Sequence, residues 1–349
     1  MMANKDTPIR IVQYGLGPIG KGAAKLILEK AGSGRLELVG AIDIDPAKAN
    51  KTVGEVVGTS SDVVISSNAE KVLAEAQPDL VIHTTSSFLP QVEGQLTQCI
   101  RAGVSVISST EELPYPFDRH PSIANNLDTL ARKYGVTILG TGVNPGYAMD
   151  VLALVATGVC TSVRSVAVRR RVDASLRRLP LQRKIGAGIT VEEFNERREQ
   201  GGLGHVGLVE SLRLVMHGLG WPIKKMSESL EPVVAESEVK TPYLTVPPDR
   251  VAGIKHTAEA YLDGRIAVSL DLRMYVGAND PVDRVVVDGD PPIDLVVQGG
   301  IFGDTATVGA LVNAIPQVIN ASPGLRTVTD LPIPRCFLPG IPYHAPLEL

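Results

Sequence analysis

Two adjacent carboxylates, Glu111 and Glu112, stand in the stretch STEELPYP, directly after the apolar run VSVIS, Val104 to Ser108. A glutamate held at the end of a buried strand, against apolar walls, has its pKa raised towards the range useful for proton transfer. One of the two is therefore expected to act as an acid–base group; the charge pattern does not say which. A second feature is the spacing G-x-G-x-x-G at Gly15, Gly17 and Gly20, with Leu16, Pro18 and Ile19 between them. It follows the apolar run Ile9, Ile11, Val12 and precedes GKGAAKLILEKAG, which reads as a helix. Strand, glycine turn and helix in that order are the context of a dinucleotide-binding turn. The first glycine permits the tight turn, the second a close pyrophosphate and the third close helix–strand packing. The helix N-terminus offers N–H groups and partial positive charge to phosphates.

Asp43 closes a second apolar run, Leu36 to Ile42, at the distance where a ribose-binding acid belongs. It favours NAD, while Lys48 and Lys51 just beyond it offset part of its charge and leave NADP open. Thr84, Thr85, Ser86 and Ser87 follow the run DLVIHT. This hydroxyl cluster either touches the cofactor or caps the helix that follows. His83, inside the same run, reads as a core histidine.

Chemistry of this kind needs a scaffold of strands whose carboxyl ends meet. Strand and helix alternate from residue 9 to residue 146: further strands are expected near Val63–Ile65 and Val136–Gly140, and helices at Ala69–Ala76, QVEGQLTQCIRAG and Ser122–Tyr134. That alternation predicts an α/β fold with a doubly wound parallel (Rossmann) sheet. A short helix after Asp43 is expected to be capped by Asp45 with Pro46 in its first turn. Beyond Met149 the pattern changes. VRSVAVRRRV alternates like a strand, DASLRRLPLQRKIGAGIT is a basic, turn-rich loop, and YLDG–RIAVSLDLRMYVG reads as a hairpin turning at Asp263–Gly264. A second α+β domain on a mostly antiparallel sheet follows, its open face to be covered by helices or a second subunit. The expected division is 1–148 for the dinucleotide-binding domain, joined by the returning segment 301–349, and 149–300 for a substrate and dimerisation domain. A long helix is expected within GGIFGDTATVGALVNAIPQVINASPG, capped at Asp304 or Thr305, and an extended tail after Ser322.

The chain has 349 residues, 44% of them hydrophobic, and a formal net charge of −4, which gives no pull towards nucleic acid or anionic membrane. No apolar run reaches the roughly 18 residues needed to span a bilayer. The first ten residues lack an apolar signal core, so a cytoplasmic location is expected. Cys99, Cys160 and Cys336 are odd in number and far apart, and no metal-ligand spacing occurs.

Beside these readings, VQYGLGPIG, STEELPYP, GTGVNPG, DASLRRLPLQRKIGAG, GHVGLVES and GGIFGDTATVGALVNAIP together resemble the 2,4-diaminopentanoate dehydrogenases and native amine dehydrogenases. The resemblance runs from about Ile9 to Arg335, and that family lies near dihydrodipicolinate reductase in fold. It implies NAD(P)-dependent oxidative deamination of an amine, reversible as reductive amination of a ketone with ammonia, and a homodimer. A glutamate of STEELPYP would activate the water that attacks the iminium. Asn144 would bind the nicotinamide amide or the reacting nitrogen, and Asp304 is a further cofactor contact. Where the substrate carries a carboxylate, Arg169, Arg177, Arg178 and His205 are candidates to hold it, with Arg170 and Arg171 as strand neighbours. The alternatives are another reductase of this fold, acting on an imine or carbonyl of an amino-acid intermediate, an enzyme of the same family that accepts simple amines or ketones without a carboxylate, and a nucleotide-binding regulator without turnover.

Overall fold

Ile11 and Val12 point to opposite faces of the first strand and are both fully buried, so this strand needs cover on two sides. The computed structural model, which describes residues 7–32 and 35–336, supplies it. The chain begins β1 (Ile9–Tyr14), α1 (Pro18–Ala31), β2 (Leu36–Ile42), α2 (Val53–Val57), β3 (Ile65–Ser66), α3 (Ala69–Ala76). It continues β4 (Leu80–His83), α4 (Leu89–Arg101), β5 (Ser105–Ser108), α5 (Pro121–Tyr134) and β6 (Thr137–Gly140). A different pattern follows: α6 (Val151–Thr157), β7 (Ser162–Asp173), α7 (Leu179–Lys184), α8 (Val191–Glu199) and α9 (Leu208–Gly218). Then come β8 (Lys225–Val234), β9 (Val239–Lys240), β10 (Thr245–Val246), β11 (Val251–Leu262), β12 (Arg265–Tyr275), β13 (Val282–Asp290) and β14 (Ile293–Gln298). After them come α10 (Gly303–Asn313), α11 (Ile315–Ile319), β15 (Gly324–Arg326) and a 3-10 turn at Val328–Asp330.

It falls into two compact units: one runs to Gly146 and resumes at Gly303, the other is Tyr147–Phe302. In the first, seven strands run in the order β15-β6-β5-β4-β1-β2-β3, every pairing parallel. Val12, Val81, Val106 and Ile138 pack with Leu89, Leu96, Ile100 and Leu127 of α4 and α5. Ile11, Ile82, Ile107 and Leu139 pack on the other face with Ile27, Leu311 and Ile315 of α1, α10 and α11. The sheet is doubly wound, and the order reverses between β1 and β4, where ligands of such sheets bind at the carboxyl ends.

The second unit holds a six-stranded sheet, order β14-β13-β7-β12-β11-β8. Its pairings are antiparallel except β7 with β12. Val166, Val168, Leu270, Leu272 and Val285 bury one face against Leu208, Leu212 and Val215 of α9 and Ala153 of α6. The hairpin turns at Asp263–Gly264, where both residues have positive φ (50° and 80°).

Some local expectations are corrected. The helix after Asp43 starts at Val53 and is capped by Thr52, with Glu55 completing a capping box, rather than by Asp45. The long C-terminal helix breaks at Ala314, because Pro316 cannot continue the hydrogen-bond ladder and instead sits in the first turn of α11. α7, β14 and the β9–β10 pair arise in stretches without a periodic signal. The tail after Ser322 contributes β15, paired with β6. Residues 337–349 of the expected returning segment, and the first six residues read for a signal core, lie outside the described residues.

Candidate active site

The glycine turn is built against β4. Gly15 has φ +91°, and a Cβ there would meet Thr84 O at 2.7 Å. A Cβ on Gly20 would lie 1.9 Å from Gly15 O and 2.6 Å from Thr84 Oγ1, so only glycine lets α1 approach this closely. Around Gly17 a Cβ would meet nothing within 4 Å. Gly17 is also the N-cap of α1, with no side-chain cap, and Pro18 opens the helix. Open space faces an uncapped helix N-terminus, which suits a pyrophosphate. Thr84 Oγ1 donates to Gly15 O (2.8 Å), and the fully buried Gln13 donates from Nε2 to Gly15 O (2.9 Å) and Thr84 Oγ1 (3.0 Å). Thr84 is thus a brace of the turn.

Asp43 is buried, and its carboxylate is largely engaged. Leu16 N donates to Oδ2 at 2.6 Å, Asp45 N to Oδ1 at 2.8 Å, and Lys48 Nζ to Oδ2 at 3.1 Å. It therefore also holds the glycine turn, a role additional to the expected ribose contact. Ile44, next to it, is 82% exposed.

At the end of β4, His83 is fully buried, with Nδ1 2.9 Å from Ser108 Oγ and Nε2 2.7 Å from Gln95 Oε1. Burial lowers its pKa to about 4, so it is a neutral core histidine. Thr85 Oγ1 donates to Gln95 Oε1 (2.7 Å) and Ser86 Oγ to Gln91 Oε1 (2.6 Å), both on α4. Burial also pushes the Cys99 thiol up to about 12, which makes it an inert core residue.

The two glutamates separate sharply. Glu112 is 5% exposed and accepts from Leu89 N (2.8 Å), while Arg119 Nη1 lies 3.1 Å and His120 Nε2 2.9 Å from its two oxygens. Leu89 is the first residue of α4, which has no side-chain cap of its own, so Glu112 serves that helix end. Glu112 N donates to Ser87 O (3.2 Å) and Thr110 Oγ1 to Ser86 O (2.8 Å), stapling the glutamate loop to the hydroxyl loop. Glu111 beside it is only half-buried. After β6, Asn144 is 7% exposed, and Val143 N donates to Thr307 Oγ1 (3.3 Å), tying this loop to α10, which begins with Gly303 and Asp304. The carboxyl ends of β1, β2, β4, β5 and β6 thus carry Gly15–Gly20, Asp43, Thr84–Ser86, Glu111–Glu112 and Asn144.

In the second unit the arginines divide. Arg170 is buried and paired with Asp283 through Nη1 (2.7 and 2.6 Å), with Nη2 donating to Ile301 O (2.7 Å). It is a structural ion pair. Arg169 is exposed on the opposite sheet face, as strand alternation requires. Arg177 is 7% exposed and stacks over the Phe302 ring, 5.3 Å from its centroid. Arg178 is the N-cap residue of α7. His205 N donates to His256 Nδ1 (3.4 Å), and His256 Nε2 lies 2.8 Å from Glu228 Oε1. Gln13, His120 and Asp283 are supporting residues that pattern reading passed over. Gln13 alone carries a local signal, a polar residue inside an apolar strand just before the first glycine. Among the described residues, no cluster of His, Cys, Asp and Glu could hold a metal ion, and no helix is long and apolar enough to cross a membrane.

Comparison with known proteins bears on this geometry. Residues 147–345 match the family described as 2,4-diaminopentanoate dehydrogenase C-terminal domain. The chain is 34% identical over 339 residues to the 2,4-diaminopentanoate dehydrogenase of Acetoanaerobium sticklandii, covering 95% of each chain. It is similar to the solved amine dehydrogenase of Mycobacterium smegmatis (TM-score 0.83, 25% identity, 97% of this chain and 99% of that one). A dihydrodipicolinate reductase from Paenisporosarcina sp. TG-14 shares the fold (TM-score 0.53, 14% identity, 93% and 99%).

Proposed function

The chain belongs to the 2,4-diaminopentanoate dehydrogenase family, and from that premise we propose how its residues divide the work of an NAD(P)-dependent amine dehydrogenase. The enzyme oxidises an amine to a ketone and ammonia, and reduces in the opposite direction. The glycine turn, with Gly17 open and α1 uncapped, fits a dinucleotide, and Leu16, Pro18 and Ile19 complete the loop. The bound cofactor supplies one thing, a hydride acceptor or donor at the amine carbon.

Glu111 does the proton chemistry. Its carboxylate stabilises the cationic iminium electrostatically. It takes a proton from the water that attacks the iminium carbon, giving a carbinolamine, returns that proton to nitrogen as ammonia leaves, and takes the hydroxyl proton as the ketone forms. Reductive amination uses the same carboxylate in reverse. The observation that carries this assignment is exposure and position: Glu112 is buried and serves the N-terminus of α4 with Arg119 and His120, whereas Glu111, beside it after β5, is only half-buried and so open to a substrate. Asn144 orients the nicotinamide amide or the substrate nitrogen, and Asp304 and Ser86 contact the cofactor. Arg177, with Arg178, Arg169 and His205 as further candidates, holds the carboxylate of a diamino acid; a buried guanidinium against an aromatic ring suits such a clamp. The active form is a cytoplasmic homodimer.

Ammonia-dependent oxidation of NADH or NADPH with a panel of ketones tests the activity. Steady-state rates on 2,4-diaminopentanoate and on short alkyl amines test the substrate class. The diamino acid is expected to give the higher kcat/KM, and Arg177→Ala to raise its KM with little effect on a carboxylate-free amine. Preference for simple amines, unchanged by Arg177→Ala, would remove the carboxylate clamp. Absence of ammonia-dependent turnover with any ketone would remove the reading itself.

A further inference from the structure

Beyond β2, two carboxylates share one ammonium. Lys48 Nζ lies 3.1 Å from Asp43 Oδ2 and 3.2 Å from Asp45 Oδ2, and its side chain is 19% exposed. A carboxylate offers about four lone-pair sites. Three on Asp43 are taken, by Leu16 N, Asp45 N and Lys48 Nζ. One remains, whereas holding both ribose hydroxyls through one carboxylate needs two. The acid expected to select an unphosphorylated ribose is therefore partly occupied by a cation, the kind of group that a 2′-phosphate would need beside it.

We infer that Lys48 is the residue that sets cofactor selectivity, bridging Asp43 and Asp45 when the ribose is unphosphorylated and turning to the phosphate when it is not. This rests on the dinucleotide reading of the glycine turn. Charge supports it. Without Lys48 the two aspartates would present two uncompensated negative charges to a dianionic phosphate. With Lys48 they present one. Burial works against the charge on Lys48, but hydrogen bonds and the charges of Asp43 and Asp45 outweigh it, raising its pKa, so it stays an ammonium. Lys21, in the first turn of α1, also acts electrostatically on Asp45, so a second cation reaches the same place. The 3.1 Å contact ties Lys48 to a buried partner, but its second partner, Asp45, is 44% exposed, so the ammonium can turn from that carboxylate towards solvent.

The test is direct binding, followed by the fluorescence of NADH and NADPH and by competition with adenosine 5′-monophosphate and adenosine 2′,5′-bisphosphate. Wild-type protein should bind both reduced cofactors within roughly tenfold of each other. Lys48→Ala should weaken NADPH and the bisphosphate by about ten- to a hundredfold, the value of a charge-assisted contact. NADH and the monophosphate should bind as well as before or slightly better, as a lone pair on Asp43 is released. Lys48→Arg should retain NADPH. Equal weakening of both cofactors by Lys48→Ala would make Lys48 a brace of the loop only, and no change in either would remove it from the site. Wild-type protein that binds NADH but excludes NADPH would likewise overturn the assignment. Binding of neither cofactor by wild-type protein would sink the dinucleotide reading, and selectivity at Lys48 with it, whereas cofactor binding without amine turnover would sink only the proposed chemistry.

Discussion

Glu111 and Glu112 are neighbours of identical type, and replacing each by glutamine should give opposite phenotypes. Glu112 is 5% exposed and accepts from Leu89 N at 2.8 Å. In Glu112→Gln the amide nitrogen faces donors, and one of the three partners is left without an acceptor. A buried donor stranded in this way costs about 1–3 kcal/mol. Arg119 is 39% exposed, so its share is small; His120, at 18%, adds more. The sum is about 2–4 kcal/mol, and for folding units of about 150–250 residues that lowers Tm by roughly 5–15 °C. Glu111→Gln, at a half-buried position, should lower Tm by less than Glu112→Gln does. Its kcat should nevertheless fall by about 10²–10⁴-fold, the range of acid–base contributions, with cofactor Kd unchanged. Thermal unfolding of both variants, alongside NADH titration and steady-state rates, reads all three quantities. A stable but inactive Glu112→Gln beside a fully active Glu111→Gln would reverse the assignment and refute the argument from exposure and position.

The glycine turn separates fold from binding. Gly17→Ala meets nothing within 4 Å, so Tm should change by less than about 2 °C, while NADH binding weakens by at least about tenfold because the pyrophosphate loses its close approach. Gly20→Ala would place its Cβ 1.9 Å from Gly15 O and should lower both Tm and affinity; equal tolerance of the two substitutions in a melt and a titration would contradict the packing argument. His83 gives a pH signature. Its folded pKa of about 4 lies below its ordinary 6.5, so the unfolded chain binds the proton first and stability falls as pH drops from 6.5 towards 4. That term amounts to about 3 kcal/mol across the window, and the Tm of His83→Asn should fall less over the same range; parallel pH–Tm curves for the two proteins would show that the histidine titrates no differently on unfolding.

Much of this protein is local and therefore legible in the chain. Apolar runs ending in polar residues mark the strands of the parallel sheet, because buried strands need side chains that tolerate both faces. The three glycines and their flanking strand and helix mark the turn, because the required φ and close contacts admit no other residue. The pair at 111 and 112 is visible as a chemical opportunity for the same reason: it stands at a strand's carboxyl end. What distinguishes those two glutamates is not local. It depends on which backbone N–H, guanidinium and imidazole converge on one of them, and Leu89 is 23 residues away from its acceptor. Arg170 and Arg169 are likewise equal in sequence, and only the pairing of β7 with β13 brings Asp283 against one of them. Asp43 reads as a ribose acid from its spacing, yet folding brings Leu16 N and Lys48 to the same carboxylate. Periodicity reports which face a side chain occupies; the partner that faces it there is chosen by tertiary packing, and that choice is what sets Glu112 apart from the identical residue beside it.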